Sequence, residues 1–477
     1  MGVGCLKISE GLFSHGVIQR NLRNVSNASF SGECENTGVL KAYITCEDKI
    51  VEGFYPAIVG SSENGSIKGQ LDGLPSGGPY NIRLVIEEQP GEAAESLDLE
   101  DVLVGDVWIL AGQSNMEGNG YIKDALEPAD AVHACYLDDN WDIAKDPIHF
   151  MGVAADEIHI ELCGGIRPEK GSHVGTGPGI AFAQEMHRMT GVPQGLIACA
   201  HGGTSMSQWN PSLKYLEGKS LYGSMVRRFI KNGGKIAGVL WYQGCNDANP
   251  DDVQFYTSRM KELVQSMRKD FGNNNLPIVA VQLSRVAYPL SMGAVWNSIQ
   301  EQQRLLPKSI ENLYVVPSID LTLDDWIHIS GVDHKRLGIR CTQAMAVMKD
   351  FSKSYKPPIE LRDIIADKDP ISGSINIIVS YDNVIGKLEA TGRPSGFELS
   401  EKPNELNCYG IYRIDLNGSS VILKTTINYI DDVNNRFLHY GFGVQPYCNI
   451  TDSAGRSLPV MGPVRVGPDY YEMPKLL

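Results

Sequence analysis

Apolar and polar residues alternate along short stretches of the first hundred residues. VLKAYITCE (39–47) and YNIRLVIEE (80–88) show this alternation, and turn clusters such as SSENGS (61–66) and GLPSGGP (73–79) separate the stretches. A period of two places successive side chains on opposite faces, which is typical of half-buried strands. The pattern predicts an N-terminal β-sandwich-like domain over residues 1–100.

The pattern changes after residue 100, where short apolar runs alternate with stretches of helical periodicity. Uninterrupted apolar strands between helices indicate a parallel sheet that is covered on both faces, so we predict an α/β domain over 101–355. Caps and breakers predict helices at 178–190, 251–270 and about 332–352. The apolar runs are VGDVWILAG (104–112), GLIACA (195–200), KIAGVLWYQG (235–244), LPIVAVQLS (276–284) and NLYVVPSI (312–319).

The last part of the chain returns to strands and turns. INIIVSYDN (375–383), YRIDL (412–416) and SVILKTT (420–426) again alternate apolar and polar residues. This pattern predicts a C-terminal β region over 356–477. We expect it to pack with the N-terminal β domain.

Net charge and hydropathy limit which partners the protein can bind and where in the cell it can be located. The 477 residues carry a formal net charge of −15, which argues against nucleic acid and anionic membranes because both bind basic surfaces. No apolar run reaches the roughly eighteen residues of a membrane span, and the N-terminus lacks the apolar core of a signal peptide. We therefore expect a soluble protein, cytoplasmic unless a leader has been removed, in which case it is periplasmic or secreted.

A serine follows the first apolar run of the α/β part. Ser114 lies in AGQSNMEG (111–118), at the carboxyl end of a predicted strand. Ligands of open α/β sheets bind at that edge, which is where a nucleophile would stand. A helix N-cap is an equally good interpretation of this serine alone.

A serine nucleophile needs a base that a third group orients. The segment DLTLDDWIHISGVDHKRLG (320–338) follows another apolar strand and supplies His328, with Asp325 three residues before it. Asp320 and Asp324 are alternative carboxylates that could instead cap or end elements. His334 falls in the following predicted helix, where a surface position is expected.

Two further strand ends carry hydrogen-bond donors for an oxyanion. HGGTSMSQW (201–209) offers the backbone of Gly202 and Gly203, and QGCND (243–247) offers the side chain of Asn246. A glycine turn or an Asx-turn explains either segment taken alone. Four such segments at successive strand ends indicate a serine-hydrolase site.

GQSNM, HGGT, QGCND and DWIH, in this order, resemble the conserved blocks of the SGNH (GDSL-like) hydrolases, specifically the sialate O-acetylesterase branch. The resemblance covers nearly the whole chain and implies a three-layer, flavodoxin-like domain with a parallel sheet, flanked by N- and C-terminal β regions. Three positions depart from the family pattern: His15-Gly16, the ending GPVRVG (462–467), and QGCND in place of an acidic QGE. Only the last of these bears on the pocket.

The resemblance also implies roles for the residues. Ser114 would be the nucleophile, His328 the base and Asp325 the group that orients it. The Ser114 N–H, the N–H of Gly202 or Gly203 and the Asn246 amide would form the oxyanion hole.

The implied function is a carbohydrate O-acetylesterase that acts on O-acetylated sialic acid or acetylated xylan-type glycans through an acyl-enzyme. No metal or other cofactor is expected, and the ten cysteines contain no CxxC pair. A non-catalytic carbohydrate-binding protein and a general short-chain esterase are the alternatives. Substrate contacts are expected from Gln113, Gln243, Trp209 and Arg285. Trp209 is either a sugar-stacking platform or a core residue, and Arg285 either binds the carboxylate of a sialic acid or lies on the surface.

Overall fold

The computed structural model describes residues 6–89, 92–169, 173–287, 293–403 and 410–467. Its first strands form one hydrogen-bonded path in the order β1-β3-β7-β6-β4-β8-β9, with antiparallel pairing along this path. The alternating pattern explains the pairing, because one face of each strand is buried in a common core. The strands are β1 (Lys7–Glu10), β2 (Val17–Gln19), β3 (Val25–Glu33), β4 (Gly38–Cys46), β5 (Lys49–Ile50), β6 (Ala57–Glu63), β7 (Ser66–Pro75), β8 (Gly77–Gln89) and β9 (Glu92–Gly112).

Strand β9 is 21 residues long and belongs to two parts of the molecule. Its first part pairs antiparallel with β8, and its last part pairs parallel with strands of the central sheet. The predicted boundary at residue 100 therefore falls inside a continuous strand. The division into three domains stays a prediction.

The central sheet has the order β12-β11-β14-β9-β15-β16-β17. Its pairs are parallel except that β12 runs antiparallel to β11, so the sheet is mixed and the predicted α/β class is confirmed. The strands that follow β9 are β10 (Gly120–Tyr121), β11 (Val132–Cys135), β12 (Trp141–Ile143), β13 (Val174–Thr176), β14 (Gln194–Ala198), β15 (Gly238–Tyr242), β16 (Ile278–Val281) and β17 (Leu313–Val316). Strands β14, β15 and β16 are buried at every residue, as expected of their uninterrupted apolar runs.

The three predicted helices are present with shifted ends. Helix α3 begins one residue later than predicted, α5 begins after a 3₁₀ turn at Val253–Phe255, and α7 begins after the N-cap Ser330. Among the described residues, no helix is both long enough and apolar enough to span a membrane. The helices are α1 (Ser114–Glu117), α2 (Glu157–Leu162), α3 (Gly179–Thr190), α4 (Leu221–Lys231), α5 (Tyr256–Asp270), α6 (Gly293–Leu305), α7 (Gly331–Met348) and α8 (Ile430–Asn434).

The C-terminal region forms three small sheets, β18-β19-β23-β22, β20-β25 and β21-β24-β26, around a core of its own. It is bonded to the α/β part: the Gln282 amide donates to the Val460 carbonyl and accepts the Val460 N–H, each at 2.9 Å. Its predicted packing with the N-terminal β region stays a prediction. The strands are β18 (Glu360–Lys368), β19 (Ile375–Asp382), β20 (Leu388–Ala390), β21 (Phe397–Ser400), β22 (Ile411–Asn417), β23 (Ser420–Thr425), β24 (Phe437–Tyr440), β25 (Ile450–Asp452) and β26 (Met461–Arg465).

Candidate active site

Ser114 is the first residue of α1 and stands two residues after the end of β9. The chain turns sharply at Gly112, whose φ is +130°, and a Cβ there would lie 2.2 Å from the Tyr242 carbonyl oxygen. A side chain is therefore excluded at this turn. The N-cap of α1 is Gln113, which makes the alternative interpretation of Ser114 as the N-cap wrong.

His328 and Asp325 form a pair in the loop after β17. His328 Nδ1 lies 2.6 Å from Asp325 Oδ2, and Asp325 Oδ1 accepts the N–H groups of Ile327 and His328 at 2.8 and 2.7 Å. Partial burial acts to raise the pKa of Asp325, but these hydrogen bonds outweigh it and hold the pKa below its usual value. The His328 side chain is 19% exposed, and that of Asp325 is 42% exposed. The carboxylate can thus stay ionised while it orients the imidazole.

Hydrogen bonds join this loop to the serine segment. Asn115 Oδ1 accepts the Ile329 N–H at 2.9 Å, which links the residue after Ser114 to the residue after His328. Asp324 Oδ2 accepts the N–H groups of Tyr121 and Gly331 at 2.7 and 2.9 Å. Asp324 is therefore a loop anchor, and the serine and histidine segments lie together.

The glycine and asparagine segments meet at the same edge of the sheet. A Cβ on Gly202 would lie 3.5 Å from the Ser114 Cβ, so this glycine is packed against the serine side chain. Asn246 Nδ2 donates to the Gly203 carbonyl at 2.8 Å, and Gln113 Nε2 donates to Asn246 Oδ1 at 3.3 Å. All four predicted strand-end segments are thus brought together.

The hydrogen bonds distinguish the two glycines. The Gly202 N–H donates to a carboxylate oxygen of Glu117. Within the described ranges, the N–H groups of Ser114 and Gly203 donate to no acceptor. Asn246 Nδ2 donates one proton to the Gly203 carbonyl, and its second proton has no acceptor in the part of the chain that the structure describes. These three donors suit an oxyanion better than the engaged Gly202 N–H does.

Three predicted substrate contacts are contradicted by burial, and Trp209 and Gln243 are the first two. Trp209 is fully buried, stands edge-on to Trp241 at 5.1 Å and donates to Thr204 Oγ1 at 3.0 Å. It is a core residue, and the sugar-platform alternative is wrong. Gln243 is equally buried, and its amide donates to the Thr204 carbonyl and to Asp247 at 2.9 and 2.5 Å.

Of the other two predicted substrate contacts, Gln113 is buried and Arg285 is partly exposed. Gln113 Nε2 donates to Asn246, and Gln113 Oε1 accepts the Gly244 N–H at 3.0 Å. Its amide links the serine and asparagine segments, and its predicted substrate contact is contradicted as well. Arg285 is partly exposed and donates to the Leu321 carbonyl at 3.1 Å. Its role towards a carboxylate stays a prediction.

The structure adds two residues that the sequence analysis missed and corrects one that it misplaced. Burial raises the pKa of Glu117 to about 7, although the Gly202 N–H bond acts to lower it. Trp326 is 51% exposed between Asp325 and His328, and its carbonyl accepts the Ala287 N–H at 2.7 Å. His334 is fully buried, not on the surface, and burial lowers its pKa to about 3.

Metal-ligating side chains do not cluster in this region. Across the described ranges, no group of three or more His, Cys, Asp or Glu side chains is arranged to hold a metal ion. The arrangement consists of a serine, a histidine–carboxylate pair and unpaired N–H donors. Such a set can transfer an acyl group to water.

The α/β part matches a family of known activity. The family model described as a carbohydrate esterase, sialic acid-specific acetylesterase, matches residues 104–347. A probable carbohydrate esterase of Arabidopsis thaliana is 30% identical over 261 residues, which cover 50% of this chain and 89% of that protein.

More distant relatives agree with this match. The sialate O-acetylesterase of Homo sapiens is 24% identical over 253 residues, which cover 45% of this chain and 46% of that protein, less than half of its length. The crystal structure of a carbohydrate acetylesterase from Xanthomonas citri covers 96% of this chain and 99% of its own, with a TM-score of 0.67 and 18% identity. At that identity the similarity shows the fold alone.

Proposed function

Because the chain belongs to the carbohydrate esterase family of sialic acid-specific acetylesterases, we propose that it hydrolyses acetyl esters on sugars by a Ser-His-Asp acyl-enzyme mechanism. The observation that carries this proposal is the grouping of Ser114 with the His328–Asp325 pair at the carboxyl ends of the parallel strands. Acyl transfer through a serine requires a nucleophile, a base and a group that orients the base, and these three residues supply them in that order.

In the first step, His328 takes the Ser114 proton through Nε2 while the serine oxygen attacks the acetyl carbonyl. Asp325 keeps the proton on Nδ1 and stabilises the imidazolium that forms. The N–H groups of Ser114 and Gly203 and the Asn246 amide receive the oxyanion. His328 then gives its proton to the leaving sugar oxygen, which leaves an acetyl-serine.

In the second step, His328 takes a proton from water as the water attacks the acetyl-serine. The same donors hold the second oxyanion. As it collapses, the bond between the acetyl carbon and the Ser114 oxygen breaks, His328 returns its proton to that oxygen, and acetate is released. The chain's own residues hold and move every proton in this scheme.

The family fold extends the proposal to the domain organisation. We propose that 101–355 is a three-layer, flavodoxin-like SGNH domain between β regions at 1–100 and 356–477. The parallel order β11-β14-β9-β15-β16-β17 supports a doubly wound sheet, because β9, the first of these strands in the chain, has later strands on both sides, so the strand order reverses beside Ser114.

Chain-length selectivity tests the function. The purified protein should hydrolyse 4-nitrophenyl acetate at least about 100-fold faster than 4-nitrophenyl octanoate, because a site built for acetyl groups lacks the apolar groove of a lipase. Equal rates on both esters would favour the general esterase. Binding to an acetylated glycan with no acetate release would favour the non-catalytic carbohydrate-binding protein.

Two acetylated carbohydrates then separate the substrates. Acetate release from acetylated xylan and from 9-O-acetyl sialic acid is compared, because only the sialic acid carries a carboxylate. The net charge of −15 favours the neutral glycan. A preference for the sialic acid that disappears in Arg285→Leu would instead assign the carboxylate contact to Arg285.

Trp326 supplies a testable sugar contact in place of Trp209. A half-exposed indole next to the His328–Asp325 pair can stack on the apolar face of a pyranose ring. Trp326→Ala should raise KM for an acetylated oligosaccharide by about tenfold, which corresponds to about 1.4 kcal/mol. The kcat/KM for ethyl acetate, which has no ring, should change by less than about twofold, and Tyr412→Ala on β22 is the exposed aromatic control. Equal losses on both esters would contradict the stacking role.

A further inference from the structure

We infer that Glu117 is a positioning residue that holds the Gly202 peptide so that the next N–H, that of Gly203, faces the reacting carbonyl. The identity of that carbonyl rests on the proposed acetylesterase function. The role itself rests on contacts between α1 and the turn after β14.

Gly202 is held between the nucleophile and this carboxylate. Its N–H donates to Glu117 Oε2. A Cβ added to it would lie 2.9 Å from that same oxygen and 3.5 Å from the Ser114 Cβ. Because Glu117 and Ser114 lie at opposite ends of the four-residue helix α1, one short helix carries both the nucleophile and the acceptor for Gly202.

Other hydrogen bonds fix the rest of this turn. The His201 N–H donates to the Gly112 carbonyl at 3.0 Å, and Thr204 Oγ1 donates to the His201 carbonyl at 2.8 Å. The Gly203 carbonyl is engaged by Asn246. The Gly203 N–H, which lacks a described acceptor, stands at an exposed residue with open space around its Cα. Loss of the Glu117 contact would release the peptide that precedes this free donor.

The histidines around Glu117 do not supply a positive charge near pH 7. His149 Nδ1 lies 3.0 Å from the Glu117 main-chain carbonyl, and His201 Nδ1 lies 3.0 Å from His159 Nδ1. Burial lowers the pKa of His149 and of His201 to about 4 and lowers that of His159 well below its usual value, so these rings are neutral near pH 7. Burial raises the pKa of the Cys163 thiol, and the charge of Glu117 raises it further.

Arg228 is a buried cation whose charge acts on His149 and His159, and it forms an ion pair with Asp139. Across the described ranges no cation forms an ion pair with Glu117. The carboxylate thus has a backbone N–H where a salt bridge would be expected. This arrangement suits the fixing of a backbone peptide rather than charge neutralisation.

Three substitutions separate geometry from charge. Glu117→Gln keeps an acceptor oxygen at the same reach, Glu117→Asp keeps the charge but shortens the side chain, and Glu117→Ala removes both. The kcat and KM for 4-nitrophenyl acetate are measured with the Ki of methylboronic acid, which forms a tetrahedral adduct on serine and places an oxygen in the oxyanion hole. Glu157→Ala, at an exposed glutamate on α2, is the matched control.

We expect Glu117→Ala and Glu117→Asp to lower kcat by about 10- to 100-fold with little change in KM, and to weaken boronate binding by a similar factor. Glu117→Gln should stay within about threefold of the wild type in both quantities. A merely structural role would change stability without a selective loss of boronate affinity. Wild-type kcat and Ki in Glu117→Asp, or losses in Glu117→Gln equal to those in Glu117→Ala, would overturn the inference.

A separate measurement distinguishes failure of the Glu117 inference from failure of the proposed function. Phenylmethanesulfonyl fluoride should sulfonylate Ser114 in the wild type, which mass spectrometry of peptides detects. Absence of that label would count against the acyl-enzyme mechanism itself. Labelling of the wild type together with unchanged boronate affinity in Glu117→Asp would remove only the role of Glu117.

Discussion

Replacing Ser114 with alanine is expected to lower kcat/KM for 4-nitrophenyl acetate by about 10,000-fold or more, because its hydroxyl forms the acyl-enzyme in the proposed mechanism. The hydroxyl is small and 8% of the residue is exposed, so the fold should tolerate its loss. Initial rates with the purified variant, at equal folded concentration by circular dichroism, give the ratio.

The control for this experiment is Ser207→Ala. Ser207 is an exposed serine in the same strand-end segment as the glycine turn, and its hydroxyl bonds only to that of Ser205 among the residues described. Its rate should equal that of the wild type. Near-normal turnover in Ser114→Ala would refute the assigned nucleophile.

The His328–Asp325 pair should behave as one unit. Single substitutions His328→Ala and Asp325→Asn are each expected to lower kcat by about 100- to 10,000-fold. The kcat of the double variant should be only slightly lower than that of the less active single variant. The asparagine places a donor or a neutral acceptor opposite Nδ1 and no longer stabilises an imidazolium. A full kinetic cycle on 4-nitrophenyl acetate measures this non-additivity.

A second histidine–aspartate pair in the molecule is a matched control. His15 Nδ1 lies 3.0 Å from Asp101 Oδ2 in the N-terminal part, close to the 2.6 Å of the candidate pair. Asp101→Asn should therefore leave kcat unchanged. Additive losses in the double variant His328→Ala/Asp325→Asn would show that the two residues act separately.

The pH dependence follows from the direction of the Asp325 shift. A carboxyl whose pKa is lower in the folded state stabilises the protein above its unfolded pKa, and this contribution is lost as pH falls through the folded value. Asp325 thus stays ionised throughout the neutral range. A change in activity between about pH 5 and 8, measured as a pH–rate profile on 4-nitrophenyl acetate, must therefore come from a group other than Asp325.

The sequence could predict the part of the site whose position is determined by the carboxyl ends of the parallel strands. Parallel strands end at one edge, so the residues after β9, β14, β15 and β17 had to lie near one another once the apolar runs were recognised as strands. The Asp325–His328 spacing also allowed a contact within one loop. For this reason, the sequence favours a nucleophile over a helix N-cap at Ser114 only when all four strand-end segments are considered together.

Burial of single residues in loops and helices was the part that could not be predicted. Trp209 lies in a polar segment, yet its ring is packed on Trp241, and His334 is buried although charged residues flank it in the sequence. Local pattern gives no information on what a long-range neighbour covers. Glu117 was missed for the same reason, since its importance comes from Gly202, which lies 85 positions further along the chain.

Strand β9 has a mechanical consequence for the nucleophile. It is paired with β8 at one end and with β14 and β15 at the other, and Ser114 stands two residues after its last residue. Rotation of the N-terminal sheet about the central sheet would have to bend this shared backbone and break its hydrogen bonds to both neighbours. The strand that leads to the serine is therefore held by hydrogen bonds at both ends, and we expect substrate access to depend on movements of the surrounding loops rather than on a hinge between the two sheets.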